Sequence, residues 1–252
     1  MHSAQIIRYS SDQSLSYGRQ LHVFQNEDHK YWLKSQSEDG HPQYVESFAR
    51  ELGFYQYIKQ HPLILNHQIM DASHFPSLKQ QGNVLVIDHA EPAFTDISAM
   101  HHNDISQKIK WIIQGLHEFH RLGTIHGDLK MGHFRQQQDQ IKLIDFEQIQ
   151  QIAQLQPMVL NATPRYMAPE LFQGKSKTIQ SDIYALGIIL FEWLDGRKLA
   201  TRSYQDWAFF HCQTAHLQLP EKFKYLQPCL NTMTAKSIEQ RCGTLETLLE
   251  LL

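Results

Sequence analysis

The stretch Thr124-Ile-His-Gly-Asp-Leu-Lys130, followed by Ile144-Asp145-Phe146, decides the reading of this chain. Upstream of it, Ile105, Ile109, Ile112, Ile113, Leu116 and Phe119 recur at helical spacing, so Asp128 stands in a loop after a helix. Downstream, Gly132 to Arg135 and Ile141 to Ile144 are short runs divided by Gln136-Gln137-Gln138, which is a hairpin pattern. Asp145 ends the second run. This order of helix, loop and hairpin predicts two carboxylates, Asp128 and Asp145, set across a crevice.

Two carboxylates so placed suit phosphoryl transfer. One orients the attacking hydroxyl, and the other holds the metal that neutralises the phosphates. Lys130, two residues past Asp128, can bring positive charge near a transferring phosphoryl group.

Working outward, the first third reads as strands with one helix. Apolar runs around Ile6-Ile7, Leu21 to Phe24 and Tyr31 to Leu33 are separated by polar turns, notably Asn26 to His29. Pro42 opens a helical pattern carrying Val45, Phe48, Leu52, Tyr55 and Ile58 on one stripe. Val84 to Ile87 is another short strand, and Asp88 to Pro92 reads as a connector. Beyond it the chain is mainly helical, and Ser181 to Leu194 is apolar almost all round, as for a buried helix. The expectation is an α+β, bilobal fold: a single domain over 1–252 with a strand-rich lobe at 1–88 and a larger helical lobe at 89–252.

Composition bounds the rest. The chain has 252 residues, 42% of them hydrophobic, so it can bury a sizeable core. Its net charge of −3 shows no basic field, which argues against a nucleic-acid partner. Cys212, Cys229 and Cys242 form no C-x-x-C pair and fit reduced thiols. The 16 histidines lack metal-ligand spacing. There is no signal-like N-terminus, and the greasiest segment, Ile183 to Leu194, is too short to span a bilayer. A soluble, cytoplasmic protein without a transmembrane segment is expected.

Taken together, the motifs resemble the protein kinase superfamily. His126-Gly-Asp128-Leu-Lys130 looks like H-R-D-L-K, Asp145-Phe146-Glu147 like D-F-G, and Ala168-Pro169-Glu170 like A-P-E. Thr163-Pro-Arg-Tyr-Met-Ala-Pro-Glu170 resembles the end of an activation segment, and Ser181-Asp182 the start of the helix supporting the catalytic loop. Arg241 lies about where the family keeps the Arg that pairs with the A-P-E Glu. Tyr31-Trp-Leu-Lys34 resembles V-A-I-K, whose Lys holds the α- and β-phosphates. The resemblance implies ATP, with Mg²⁺ or Mn²⁺, as cofactors and a protein substrate as partner. It implies Asp128 and Lys130 as catalytic residues, with Thr163 touching both. It implies Lys34, paired to a helix Glu, with Asp88 and Ala90 of the connector, as nucleotide-binding positions. Helix phase selects the Glu. Glu51 shares the apolar face of Phe48 and Tyr55, whereas Glu46 lies about 200° from Phe48 and should face water. Asp182 caps its helix, bonds the catalytic-loop backbone, or does both.

The chain departs from the pattern in several places. No G-x-G-x-x-G lies between the first two strands, and the candidate loop Ser10 to Gly18 holds one glycine. Trp32 stands where the family has the Ala that packs on adenine and should crowd the base. His133 stands where it keeps a metal-binding Asn, and Glu147 replaces the Gly of D-F-G. The expected metal positions are therefore Asp145, His133 and Glu147, and an imidazole ligand favours softer ions such as Mn²⁺. Gly127 replaces the Arg of H-R-D that binds an activation-loop phosphate. Thr163 and Tyr166 are the only hydroxyl side chains between Asp145 and Glu170. No switching by activation-loop phosphorylation is expected. Three readings stay open: a Ser/Thr protein kinase, favoured by Lys130 on family resemblance; a kinase of a small molecule such as a lipopolysaccharide core sugar, whose family is similar in the bulky aromatic before the strand Lys and in His133-Phe134; and a pseudokinase scaffold.

Overall fold

A computed structural model describes residues 5–25, 29–78, 81–154, 162–200, 202–241 and 245–252. Of the expected turn at Asn26 to His29, residues Asn26, Glu27 and Asp28 lie outside the described residues, as does Cys242. The chain divides into two compact units. One is Met1–Glu91 with Ile144–Glu147, and the other is Pro92–Leu143 with Gln148–Leu252.

The first unit is built on a five-stranded antiparallel sheet. Its strands are β1 (Gln5–Arg8), β2 (Arg19–Gln25), β3 (Lys30–Gln36), β4 (His67–Asp71) and β5 (Asn83–Asp88), in the order β1-β2-β3-β5-β4. Strand β4, polar and half-exposed, carries no apolar run in the sequence, which explains why periodicity does not find it. In β3, Lys34 faces Leu21 of β2 and Leu85 of β5 across the ladders. Side chains alternate along a strand, so Trp32 and Lys34 share one face and Leu33 takes the other. Leu33 enters an apolar cluster with Ala72, Leu78 and Val84, covered by Ile6, Phe24, Phe75 and Val86.

A short helix, α1 (Asp12–Ser16), stands where a loop was expected between the first two strands. Ser11 explains it: its hydroxyl accepts the Ser14 N–H and caps the helix start. Helix α2 (Pro42–Ile58) opens with Pro42 in its first turn and buries Phe48, Glu51, Leu52, Phe54 and Tyr55. Phe146 joins this unit from far along the chain, its ring centroid 4.6 Å from Phe54 and 5.3 Å from Tyr55. A two-residue strand, β6 (Glu91–Pro92), carries the chain onward.

The second unit is mostly helical. Helix α3 (His102–Arg121) buries Ile105, Ile109, Ile112, Ile113, Leu116 and Phe119, the stripe read from the sequence. Strand β7 (Thr124–Ile125) follows, and then the hairpin of β8 (Phe134–Gln137) and β9 (Gln140–Leu143). The first hairpin run is thus shorter than expected, because Met131–His133 forms a 3₁₀ turn. Strand β10 (Gln150–Gln151) pairs with β7. Helices α4 (Pro169–Phe172), α5 (Ile179–Asp195), α6 (Tyr204–Phe209), α7 (Gln227–Met233) and α8 (Leu245–Leu249) complete the unit. Helix α5 is buried on nearly every side. It opens two residues before the expected Ser181 because Thr178 and Ser181 form a reciprocal capping box, and it ends at Gly196 in the left-handed region.

Candidate active site

The sequence-predicted residues fall into two constellations, one in each unit. In the first, the Lys34 ammonium is 2.7 Å from each of three carboxylates: Glu51, Asp145 and Glu147. Glu51 is fully buried, while the Glu46 side chain is 77% exposed. The second oxygen of Glu51 accepts the Phe146 N–H at 3.1 Å, so this one carboxylate fixes both the strand Lys and the Asp145-Phe146 backbone. Asp145 itself holds a positive φ of 69°, strained for a residue with a side chain.

Burial works against the Lys34 ammonium, but Asp145, Glu147 and Glu51 outweigh it and hold its pKa well above the ordinary lysine range. Lys34 is therefore a charged group at neutral pH. Burial pushes the Glu51 carboxyl up to about 7, against the pull of Lys34.

Glu147 makes contacts that no motif announces. Its Oε2 lies 2.7 Å from the Arg19 guanidinium at the start of β2, and its carbonyl accepts from Arg50 at 2.7 Å. Arg19 and Arg50 are the functional candidates that the sequence reading missed. Neither belongs to a recognisable spacing, since each meets Glu147 only through the fold. Carboxylate oxygens of Glu51, Asp145 and Glu147 lie within 4.8 Å of one another, an all-oxygen donor set of the kind magnesium or manganese prefers.

Trp32 and the connector positions also belong to this unit. The indole stacks on the His89 ring at 5.4 Å and 20°, and Tyr9 meets it edge-on at 5.0 Å. Asp88 accepts from the Asn66 amide at 2.9 Å, and Ala90 is buried.

The second constellation surrounds Asp128. Its Oδ1 accepts the Thr163 backbone N–H at 2.8 Å, and its Oδ2 lies 2.9 Å from the Lys130 ammonium. Thr163 thus meets Asp128 through its backbone rather than its hydroxyl. Behind the loop, buried Asp182 accepts from the backbone of His126 at 2.8 Å and of Gly127 at 2.9 Å, and pairs with His120 at 3.0 Å. Burial opposes the ionised form of Asp182, but His120, His126 and the Gly127 N–H outweigh it and lower its pKa. Thr178, not Asp182, caps the helix, so Asp182 is left to brace the loop.

His133 is buried and lies against His126, their ring centroids 5.4 Å apart. Gly127 has a φ of 78°, and a Cβ there would come within 2.6 Å of the Gln148 carbonyl. The absent Arg of H-R-D is thus a steric matter as well as a chemical one. The Tyr166 hydroxyl bonds Glu192 at 3.1 Å, and burial pushes its pKa up to about 12. Glu170 takes two bonds from Arg241, at 2.7 and 3.0 Å, tying α4 to the segment before α8.

The chain is similar to known kinases over most of its length. Serine/threonine-protein kinase PknA of Corynebacterium glutamicum is 35% identical over 112 residues, 42% of this chain and 24% of the relative. "Probable serine/threonine-protein kinase PknB" of Bifidobacterium longum is 31% identical over 107 residues, 39% of this chain and 15% of the relative. A "Probable LIM domain-containing serine/threonine-protein kinase" of Dictyostelium discoideum is 29% identical over 194 residues, 71% of this chain and 28% of the relative. The chain therefore spans less than a third of the length of each of these relatives. The family described as "Protein kinase domain" matches residues 16–248, which takes in both constellations, and the chain belongs to that family.

Proposed function

We propose that the chain is an ATP-dependent serine/threonine kinase that transfers the γ-phosphoryl group to a protein hydroxyl. The observation that carries the reading is the Lys34 ammonium held at once by Glu51 and Asp145. Decay of a phosphoryl-transfer site would not be expected to preserve a buried lysine with both partners. In this reading Asp128 accepts a hydrogen bond from the acceptor hydroxyl, orients its oxygen and takes its proton as the new O–P bond forms and the bond from the γ-phosphorus to the bridging oxygen breaks, with ADP leaving. Lys130, beside Asp128, neutralises charge on the transferring group. Lys34 holds the phosphates, and Glu51 fixes Lys34. Asp88 and Ala90 stand where the nucleotide base would meet the connector.

A divalent cation would be held by Asp145, with Glu147 the second carboxylate within reach and His133 the proposed third position. Its chemistry is to neutralise the phosphates. Lys130 and the serine/threonine-kinase relatives favour Ser or Thr as acceptor. Among the described residues no helix is long and apolar enough to cross a membrane, in keeping with a cytoplasmic enzyme.

The test is transfer from γ-labelled ATP to generic proteins and, separately, to lipopolysaccharide. Label on protein Ser or Thr is expected, falling at least about a hundredfold in Asp128→Ala. Label on lipopolysaccharide alone would reassign the acceptor to a sugar. Failure of the protein to bind ATP would leave a scaffold as the better account. Manganese is expected to outperform magnesium, and His133→Asn to remove the difference. Equal rates with both ions in the native protein would refute a metal role for His133.

A further inference from the structure

Three carboxylates crowd the Lys34 ammonium at 2.7 Å, Asp145 by a hydrogen bond and Glu51 and Glu147 as ion pairs. A phosphate can reach the ammonium only by displacing one. Glu51 is fully buried and also holds the Phe146 N–H, so its removal would leave both groups wanting partners. Asp145 is the carboxylate assigned above to the cation, which would travel with the phosphates rather than give way to them. Glu147, named above as the second carboxylate within the cation's reach, differs from both in bridging two cationic side chains. One oxygen is 2.7 Å from Lys34 and the other 2.7 Å from Arg19, so the carboxylate can turn to the cation once the phosphates displace it.

Two cations thus converge on a single carboxylate. Their closeness is itself unfavourable. An anion between them is what makes the pair tolerable. The Arg19 guanidinium also lies over the Tyr44 ring at 5.2 Å, and Tyr44 stacks on Tyr17 at 4.7 Å, so its approach is held from behind. Arg19 begins β2 directly after α1, the helix that stands in place of a glycine-rich loop. Arg19 keeps 22% of its side chain exposed, while its Nη2 and the Glu147 Oε1 are buried and Lys34 keeps only 10%, so phosphates would reach the pair only as Glu147 gives way.

We propose that Lys34 and Arg19 form a two-cation site for the phosphate oxygens of a nucleoside triphosphate, and that the Glu147 carboxylate fills this site until the phosphates displace it. The proposal rests on the nucleotide-donor reading for its ligand, and it adds two things. Arg19 supplies binding that a glycine-rich loop does not supply here, and Glu147 is an internal competitor. The class of ligand follows from the donors, because a guanidinium and an ammonium side by side match the several oxygens of a polyphosphate.

The experiment is calorimetric binding of inorganic tripolyphosphate without divalent cation, and of ATP, to the full chain and its variants. Glu147→Gln keeps the shape and removes the competing charge, and it should tighten tripolyphosphate about tenfold. Arg19→Gln should weaken it by a similar factor, and Arg19→Lys should recover part of the loss. Melting of each variant without ligand checks folding, and Arg19→Lys keeps the charge in place if Arg19→Gln does not fold. Unchanged or weaker binding in Glu147→Gln, or unchanged binding in Arg19→Gln, overturns the proposal. Native binding of tripolyphosphate but not ATP, with the expected variant effects, sinks the nucleotide-donor reading and leaves the anion site standing. Native ATP binding insensitive to both residues does the reverse. Binding of neither overturns both.

Discussion

Gly127 shows how much a single residue decides here. It sits between His126 and Asp128, its N–H is held by Asp182, and its φ of 78° is a conformation in which a side chain is strained. The clash a Cβ would meet is with the Gln148 carbonyl, a backbone atom that cannot swing aside. Gly127→Ala should therefore cost about 2–4 kcal/mol, the sum of left-handed strain and a backbone shift. Chemical denaturation would measure it, and a loss below about 0.5 kcal/mol, within the usual range for a surface change, would show that the loop relaxes freely. Because the same backbone carries Asp128, phosphoryl transfer is expected to fall along with stability.

At the scale of elements, helix α5 is the frame of the second unit. Its apolar sides are buried, its Asp182 braces the loop before Asp128, and its Gln180 carbonyl accepts from Arg241 at 2.9 Å. Its start depends on Thr178, whose hydroxyl accepts the Ser181 N–H at 3.3 Å while the Ser181 hydroxyl accepts the Thr178 N–H at 3.1 Å. Thr178→Ala is expected to destabilise the protein by about 1 kcal/mol, the common value for loss of a helix cap. Thr178→Ser should restore most of it, and thermal melting of the two variants side by side would check the order. Helix α2 offers the complementary lesson. Its phase, set by Phe48, Leu52 and Tyr55, separates Glu51 from Glu46 by periodicity alone, and the folded chain buries the first and exposes the second.

The whole molecule carries a pH dependence through His211. This residue is fully buried, its ring is stacked on Trp207 and Phe172, and its Nδ1 lies 2.8 Å from the Tyr184 hydroxyl. Burial lowers its pKa from 6.5 to about 4. The folded protein thus refuses a proton that the unfolded chain accepts between those values. Stability is complete above about pH 6.5 and falls as pH drops toward 4, by about 3 kcal/mol from this one group. In His211→Gln that part of the slope should vanish, while the loss from protonated carboxylates remains. Unfolding free energies measured from about pH 7.5 to about 4.5 in both proteins would show the slopes apart. Identical slopes would mean that His211 protonates without unfolding the chain.

The sequence by itself determined the class of the fold and several members of each constellation, though not Arg19 or Arg50. Motif spacing singled out Asp128, Lys130, Asp145 and Lys34, and apolar periodicity located α2, α3 and α5, because these signals live within a few turns of chain. Only the tertiary structure decided what Glu147 touches. Arg19, Lys34, Arg50 and Glu147 come from β2, β3, α2 and a segment far downstream, and no local pattern relates them. The same holds for α1, whose start rests on one serine in a loop read as irregular, and for Gly127, whose necessity lies in the distant Gln148 carbonyl. Propensity and periodicity act along the chain. A charge pair or a close backbone approach between remote residues exists only once the chain has packed.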